Sequence, residues 1–146
     1  MTGRLFVLNG PNLNMLGRRE PELYGRVTLP QIEKRCREQA AELGFELFFG
    51  QSNAEAQLID WVHRAYDASA AVIINPAGLS TTSVALYDAL RMLVEPVVEV
   101  HLTNVFGREP LYRNLLTAAA STGFLAGFGA DVYELAMRGL AGPRCE

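Results

Sequence analysis

Residues 4–25, RLFVLNGPNLNMLGRREPELYG, decide the fold. The apolar run at 4–8 is typical of a buried strand. The segment 9–25 that follows holds two Pro, three Asn and three Gly, so we expect the strand to end there and a long loop to begin. A long loop after a central strand is usually a lid or a binding loop, although a solvated loop with incidental charges is the alternative.

Strand and helix patterns alternate along the rest of the chain. Further strands are predicted at 45–49, 70–74, 96–100 and 121–129, with helical patterns between them. Such alternation indicates a parallel sheet covered by helices on both faces. We therefore predict one α/β domain over residues 1–146, a flavodoxin-like three-layer sandwich with a five-stranded parallel sheet of order 2-1-3-4-5.

Capping residues mark where the helices begin. Thr28 with Gln31 forms the pattern of a capping box, and Pro30 between them suits a first turn. The run 52–55, SNAE, predicts a second capping box, and Asp131 is predicted to cap the last helix, 131–140.

Composition excludes several functions. The chain has 146 residues and a net charge of −3, without a Lys/Arg-rich block, which argues against nucleic acid or an anionic membrane as partner. No apolar run approaches the length of a bilayer span, and no secretory signal opens the chain, so we expect a cytoplasmic protein. Cys36 and Cys145 form neither a CxxC pair nor a metal spacing, which predicts two reduced thiols and no metal site.

The predicted topology gathers three loops at one edge of the sheet. Segments 9–25, 75–83 and 101–104 each leave the carboxyl end of a predicted strand. Open α/β sheets bind ligands in the crevice beyond these ends, at the point where the strand order reverses. We expect the functional side chains to lie there.

Glu99 and His101 are the first candidate pair for chemistry. They lie two residues apart on a predicted strand, so their side chains share a face. A carboxylate beside an imidazole fixes its tautomer and favours its protonated form, which suits a proton donor. The alternative is that both side chains simply reach solvent at the end of the strand.

Arg19 and Tyr24 are the second candidate pair. A phenol is a poor base at neutral pH because its ordinary pKa is near 10, and holding it as an anion requires roughly 4 kcal/mol. An arginine held close to it in a water-poor site can supply energy of that order, and closure of a loop over substrate would create such a site. A packing role for a loop tyrosine is the alternative.

Several polar groups suit substrate binding. Asn12 and Asn75 follow predicted strands and can hold a hydroxyl or a water, although both can instead act as turn formers. The backbone N–H groups of Leu102 and Thr103 can clamp a carboxylate. Asp88 lies on a largely apolar helix, which indicates either an exposed face or a contact with another subunit.

Four stretches together resemble the type II 3-dehydroquinate dehydratase family, also called type II dehydroquinases. They are NGPNLNMLGRREPELYG at 9–25, QSNAEAQLIDWVHRA at 51–65, INPAGLSTTSVALYDAL at 74–90 and VEVHLTNVFGRE at 98–109. The resemblance covers nearly the whole chain. It implies a cofactor-free and metal-free elimination of water from 3-dehydroquinate, a small cyclic hydroxy-carboxylate, through an enolate, in a dodecamer built from trimers.

The resemblance also implies a role for each matched residue. Tyr24, kept anionic by Arg19, would remove the C2 proton, and a water on Asn12 would stabilise the enolate. His101, oriented by Glu99, would protonate the departing hydroxyl. The remaining implied contacts are Asn75 to a ring hydroxyl, Leu102 and Thr103 to the carboxylate, Asp88 to a neighbouring subunit's site, and Arg108 to the lid at 18–25.

Three positions depart from the family pattern. Thr81 stands where His is usual, Tyr112 where Arg is usual, and Tyr87 replaces a common Arg beside Asp88. In the family the His and the Arg contact substrate hydroxyls, so Thr81 and Tyr112 remain candidate substrate contacts of altered chemistry. The proton-transfer residues are intact.

Three functions are consistent with this pattern. The first is a dehydroquinate dehydratase of the shikimate pathway, in aromatic amino acid biosynthesis, or of quinate catabolism. The second is a paralogous lyase for a different hydroxylated cyclic carboxylate, suggested by Thr81 and Tyr112. The third is a non-catalytic paralogue, against which the retained base and acid argue.

Overall fold

The computed structural model describes residues 3–143 and contains a five-stranded sheet. Its strands are β1 (Gly3–Asn9), β2 (Phe45–Gln51), β3 (Ala71–Asn75), β4 (Val97–His101) and β5 (Gly123–Ala126). All neighbouring strands pair in parallel, in the order β2-β1-β3-β4-β5. The predicted parallel sheet and its order are confirmed.

Within residues 3–143, five α-helices connect or follow the strands. They are α1 (Pro21–Tyr24), α2 (Leu29–Leu43), α3 (Glu55–Asp67), α4 (Val84–Arg91) and α5 (Asp131–Ala141). Five short 3-10 turns occupy the loops, at Leu13–Met15, Ala77–Thr81, Val105–Gly107, Pro110–Tyr112 and Thr117–Ala120. The long loop 9–25 is therefore not irregular throughout, since it contains one 3-10 turn and helix α1.

The alternation of side chains along β1 divides the core into two layers. Leu5 and Val7 pack with buried residues of α2 and α5 on one face. Phe6 and Leu8 pack with α3 and α4 on the other. Because side chains alternate along a strand, this run must be apolar at every position to serve both layers. The predicted three-layer arrangement is confirmed.

Helix α2 begins as the sequence predicts. The Thr28 hydroxyl accepts from the Gln31 backbone N–H, and the Gln31 side chain accepts from the Thr28 N–H, which completes the capping box. The helix ends at Gly44, whose φ of 81° is a left-handed conformation that glycine adopts without strain.

Two predicted caps are wrong. Helix α3 has Ala54 at its N-cap without a side-chain cap; Ser52 accepts from the Ala54 N–H instead, and the Glu55 carboxylate accepts from Ser83 Oγ on another element. Asp131 lies inside α5, after the N-cap Ala130, and its carboxylate accepts from Arg35 of α2. In both places a tertiary partner competes with the local cap.

A close approach of two loops sets the edge where the site forms. The Gly10 N–H donates to the Asn75 carbonyl over 2.8 Å. A Cβ atom on Gly10 would lie 2.5 Å from the Pro76 carbonyl oxygen, so only glycine allows this contact. The loops that follow β1 and β3 are thereby held side by side.

Candidate active site

One cavity opens beyond the carboxyl ends of β1, β3 and β4, where the three predicted loops meet. Six of the predicted site residues line it, and they are Asn12, Arg19, Tyr24, His101, Thr103 and Tyr112. Arg108 also lines it. The structure therefore brings together residues that are up to 100 positions apart in the sequence.

The Tyr24 hydroxyl lies between two guanidinium groups. Arg19 Nη2 donates to Tyr24 Oη over 3.1 Å, and Arg108 Nη1 donates to the same oxygen over 2.8 Å. Arg19 also lies over the phenol ring, with its Cζ 4.4 Å from the ring centroid. Two positively charged donors therefore converge on one phenol oxygen, and charge-assisted hydrogen bonds of this kind are stronger than neutral ones.

Local backbone conformation presents this tyrosine. It ends the short helix α1, which Pro21 begins and Gly25 terminates at a φ of 78°. Glu20, immediately before the helix, has a φ of 35°, a conformation that non-glycine residues rarely adopt. The Arg19 guanidinium lies 3.7 Å from the half-exposed carboxylate of Glu20.

Arg108 remains charged beside Tyr24. Burial by itself lowers the pKa of this guanidinium, but its hydrogen bond to Tyr24 and the proximity of Tyr24, Tyr112 and Glu109 raise the pKa above its ordinary value. Its side chain is only 13% exposed. Its backbone carbonyl accepts from Arg113 Nε over 2.8 Å, which ties down the turn that carries it.

His101 and Glu99 form the second half of the site. His101 Nε2 lies 2.8 Å from Glu99 Oε2, and the two residues are 6% and 0% exposed. An ionised carboxylate only accepts hydrogen bonds, so Nε2 carries the proton and Nδ1 is the ring nitrogen left for substrate. The predicted same-face pairing is confirmed, and the alternative in which both side chains reach solvent is excluded.

Thr117 holds the other oxygen of that carboxylate. Its hydroxyl donates to Glu99 Oε1 over 2.5 Å, and Thr117 is fully buried. Glu99 therefore has one partner on each oxygen, which fixes the carboxylate and through it the imidazole. Thr117 could not be found from the sequence, because a threonine in a TAAA run 18 residues from Glu99 carries no local signal.

A buried polar network lies behind the cavity. Tyr133 of α5 donates to Asn9 Oδ1 over 2.6 Å and accepts from Asn75 Nδ2 over 3.4 Å. Burial raises the pKa of the Tyr133 phenol above its ordinary value, so this hydroxyl stays a donor. Asn75 Oδ1 also accepts from the Ala77 N–H, which fixes the turn after β3. Asn75 is thus engaged by protein groups through both ends of its amide.

The first loop is also anchored to the end of β2 and to the residues that follow it. The Asn12 N–H donates to Asn53 Oδ1 over 2.9 Å, and Asn12 adopts a left-handed φ of 73°. Gln51 Nε2 donates to the Gly10 carbonyl over 3.2 Å. These contacts place Asn12 at the wall of the cavity.

The remaining predicted residues occupy different positions. Thr81 does not line the cavity, and its hydroxyl donates to the Gly78 carbonyl over 3.1 Å. Leu102 is buried directly after β4, next to Thr103 at the cavity wall. Asp88 is exposed on α4, outside the cavity. Tyr112 lies under the guanidinium of Arg108, whose Cζ is 4.0 Å from the ring centroid.

Other features of the described chain concern metals, membranes and thiols. Within residues 3–143, no three His, Cys, Asp or Glu side chains converge as a metal site requires. None of the helices in that range is both long enough and apolar enough to cross a bilayer. Cys36 is a buried free thiol, and Cys145 lies outside the described residues.

The fold and the site define a class of protein: a flavodoxin-like α/β protein in which a tyrosine held by two arginines shares a cavity with a carboxylate-bound histidine. The family model described as "Dehydroquinase class II" matches residues 3–141. The chain belongs to the type II dehydroquinase family.

Curated relatives agree over nearly the whole chain. A 3-dehydroquinate dehydratase of Caulobacter vibrioides is 49% identical over 142 residues, which cover 97% of this chain and 97% of the relative. A 3-dehydroquinate dehydratase of Rhodopseudomonas palustris is 51% identical over 142 residues, 97% of this chain and 94% of the relative.

Solved structures agree as well. The type II dehydroquinase of Propionibacterium acnes superposes with a TM-score of 0.93 at 42% identity, over 97% of each chain. The type II dehydroquinase of Butyrivibrio crossotus superposes with a TM-score of 0.94 at 31% identity, over 97% of this chain and 99% of the other. The family and the fold expected from the sequence are confirmed.

Proposed function

We propose that this protein is a 3-dehydroquinate dehydratase, a hydro-lyase that eliminates water from 3-dehydroquinate to give 3-dehydroshikimate. The observation that carries the proposal is that a phenol oxygen bound by two guanidinium groups lines the same cavity as an imidazole bound by a buried carboxylate. The first arrangement suits a base and the second an acid. Relatives that are 49% identical and named 3-dehydroquinate dehydratase favour this reaction over the two alternatives, the paralogous lyase and the non-catalytic paralogue.

The base acts first. Tyr24 as tyrosinate removes the C2 proton, next to the ketone, and the electron pair moves onto the ketone oxygen to form an enolate. Arg19 and Arg108 hold the tyrosinate by charge-assisted hydrogen bonds. A water bound by the Asn12 side chain donates to the enolate oxygen. The reaction requires no cofactor and no metal, because each proton has a side chain or a water to move it.

The acid acts second. The enolate re-forms the ketone, a C2–C1 double bond forms, and the C1–O bond breaks as the His101 imidazolium gives its proton to the departing hydroxyl. Glu99 stabilises the imidazolium from the opposite ring nitrogen. Leu102 and Thr103 bind the substrate carboxylate through backbone N–H groups and the Thr103 hydroxyl. Transfer of one proton from Tyr24 back to His101 resets the site, so that the net products are 3-dehydroshikimate and water.

Substrate recognition completes the proposal. Asn75, whose side chain fixes the turn after β3, would bind a ring hydroxyl of the substrate. Thr81 and Tyr112 stand where the resemblance implies His and Arg, so their contacts to substrate hydroxyls would differ in chemistry. We also propose a homo-oligomer, a dodecamer built from trimers, in which Asp88 reaches a neighbouring subunit's site. The exposed position of Asp88 on α4, beside an apolar groove lined by Val84 and Tyr87, supports this arrangement. Analytical ultracentrifugation tests it, and a monomer at micromolar concentration would contradict it.

The decisive experiment follows the ultraviolet absorbance of the conjugated enone product. We expect the wild-type protein to produce this absorbance from 3-dehydroquinate. Tyr24→Phe should lower kcat by about 10² to 10⁴, the usual contribution of a positioned base, with a smaller change in KM. Tyr66→Phe is the matched control, because it removes the same hydroxyl from a tyrosine that is 48% exposed on α3. No absorbance change at high wild-type concentration would refute the proposal.

A further inference from the structure

Tyr112 contacts Arg108 through the face of its ring. It ends the 3-10 turn Pro110–Tyr112, and the Cζ of Arg108 lies 4.0 Å from its ring centroid. Among residues 3–143, its hydroxyl has no hydrogen-bond partner. A guanidinium at this distance from an aromatic face is attracted by the ring's negative quadrupole and also packs on it.

The Arg108 guanidinium lies near two possible partners, Tyr24 and Glu109. Its Nη1 donates to Tyr24 over 2.8 Å, but its Nε also lies 3.8 Å from the carboxylate of Glu109. The Glu109 side chain is 65% exposed, so a guanidinium that followed it would leave the cavity. The Tyr112 ring packs against the Arg108 guanidinium on the cavity side, and this contact opposes such a movement.

We propose that Tyr112 is a positioning residue whose ring holds the Arg108 guanidinium against the Tyr24 oxygen. The proposal rests on the proposed function, because it matters for catalysis only if Tyr24 is the base. It gives a role to a position at which the resemblance implies an arginine that contacts substrate. In this chain the position supports the base through Arg108.

The prediction concerns the pH at which Tyr24 becomes active. The charged and titratable groups around its hydroxyl are Arg19, Arg108, His101 and Tyr112, with Glu20 beside Arg19 and Glu109 beside Arg108. Removing the Tyr112 ring loosens the hold on Arg108. The tyrosinate then loses part of its support, so a higher pH is needed to form it.

The test compares Tyr112→Leu, which removes the ring, with Tyr112→Phe, which keeps it. We expect the acidic limb of the kcat profile to move upward by about 0.5 pH unit or more in Tyr112→Leu, from the usual strength of such contacts. Tyr112→Phe should keep the limb at the wild-type pH. Leu111→Ala is the control within the same turn, because Leu111 is 65% exposed and does not line the cavity.

A second readout needs no substrate. The chain has five tyrosines, and ¹³C labelling at Cζ gives each a resonance that reports loss of its phenol proton. The resonance missing from Tyr24→Phe is that of Tyr24. Its titration midpoint should rise in Tyr112→Leu and not in Tyr112→Phe. This measurement separates the two proposals, since a wild-type protein inactive on dehydroquinate would refute the function while the resonance still reports on Tyr112.

A double-mutant cycle with Arg108→Ala completes the test. Because Tyr112 acts through Arg108, Tyr112→Leu should change neither the titration nor the acidic limb further in the Arg108→Ala background. Additive effects would overturn the proposal. So would equal shifts in Tyr112→Leu and Tyr112→Phe, or no shift in either. If Tyr112→Leu does not fold, Tyr112→Gln is used in the same comparisons and carries the same expectations.

Discussion

The Thr117 hydroxyl donates to one oxygen of Glu99 over 2.5 Å, and the other oxygen lies 2.8 Å from His101 Nε2. All three side chains are buried, and Glu99 is fully so. A buried carboxylate is costly unless each oxygen is satisfied. Thr117 therefore helps to hold the Glu99 carboxylate in place, although Thr117 does not line the cavity.

Replacing Thr117 with the isosteric valine tests this role. Thr117→Val leaves Glu99 Oε1 without its donor, so we expect a loss of about 1–3 kcal/mol in the free energy of unfolding. We also expect a fall in kcat, because an unrestrained Glu99 no longer fixes His101. Thr117→Ser keeps the hydroxyl and is the control. Urea denaturation and the enone assay measure the two effects, and equal values for both variants would contradict the argument.

Adding one methyl group at Gly10 should separate the two loops that frame the site. The new Cβ would lie 2.5 Å from the Pro76 carbonyl oxygen, so the backbone must move. We expect Gly10→Ala to cost about 1–3 kcal/mol, as overpacking usually does, and to lower kcat. The control is Gly139→Ala in α5, where a Cβ meets nothing within 4 Å. It should stabilise the protein by about 0.5–1 kcal/mol, since alanine favours helix. Thermal unfolding measures both effects. The prediction would be contradicted if Gly10→Ala and Gly139→Ala shifted the melting temperature in the same direction.

The ion pairs that join α2 to α5 should contribute little. Arg35 binds both Asp131 and Glu134, yet its side chain is 39% exposed and that of Asp131 68%. Exposed pairs gain little because water and salt screen them. We expect Arg35→Met to cost about 1 kcal/mol or less, and the difference from wild type to shrink in high salt. A larger cost that persists in high salt would show that the cluster behaves as a buried one.

The sequence predicted those features that local patterns control. The apolar runs predicted all five strands, and their alternation with helices predicted a parallel sheet. Its order followed from five strands and the chain length, which fit a flavodoxin-like fold. Residues two positions apart on a strand point to the same face, so the spacing of Glu99 and His101 alone predicts their contact. Thr28 and Gln31 form their capping box for the same local reason.

The features that the sequence did not predict depend on contacts between distant residues. The Glu55 side chain accepts a hydrogen bond from Ser83, 28 residues away, and the Asp131 side chain accepts one from Arg35, 96 residues away. Neither side chain forms the cap that the sequence predicts. The resemblance implies a contact between Arg108 and segment 18–25, but no local pattern predicts it, because the hydrogen bond of Arg108 to Tyr24 spans 84 residues. Such contacts arise only once the sheet has brought the loops together, and no periodicity encodes them.

Two buried acids should make the protein less stable at alkaline pH. Burial raises the pKa of the Cys36 thiol from its ordinary value of 9.0 to about 12, and burial also raises the pKa of Tyr133. In the folded protein both groups keep their protons, whereas in the unfolded chain both ionise near their ordinary values. Above pH 9 the unfolded state therefore binds fewer protons, and stability falls as pH rises.

The slope of that fall can be assigned to single residues. Each group contributes about 1.4 kcal/mol per pH unit once its unfolded form is ionised and its folded form is not. Cys36→Ala lowers stability near neutral pH through the lost packing, but it removes one ionising group, so its stability should fall less steeply between pH 9 and about 12 than that of the wild type. Denaturant titrations at several alkaline pH values measure both slopes. Parallel curves for the two proteins would mean that Cys36 ionises equally in both states, contrary to its burial at 1% exposure.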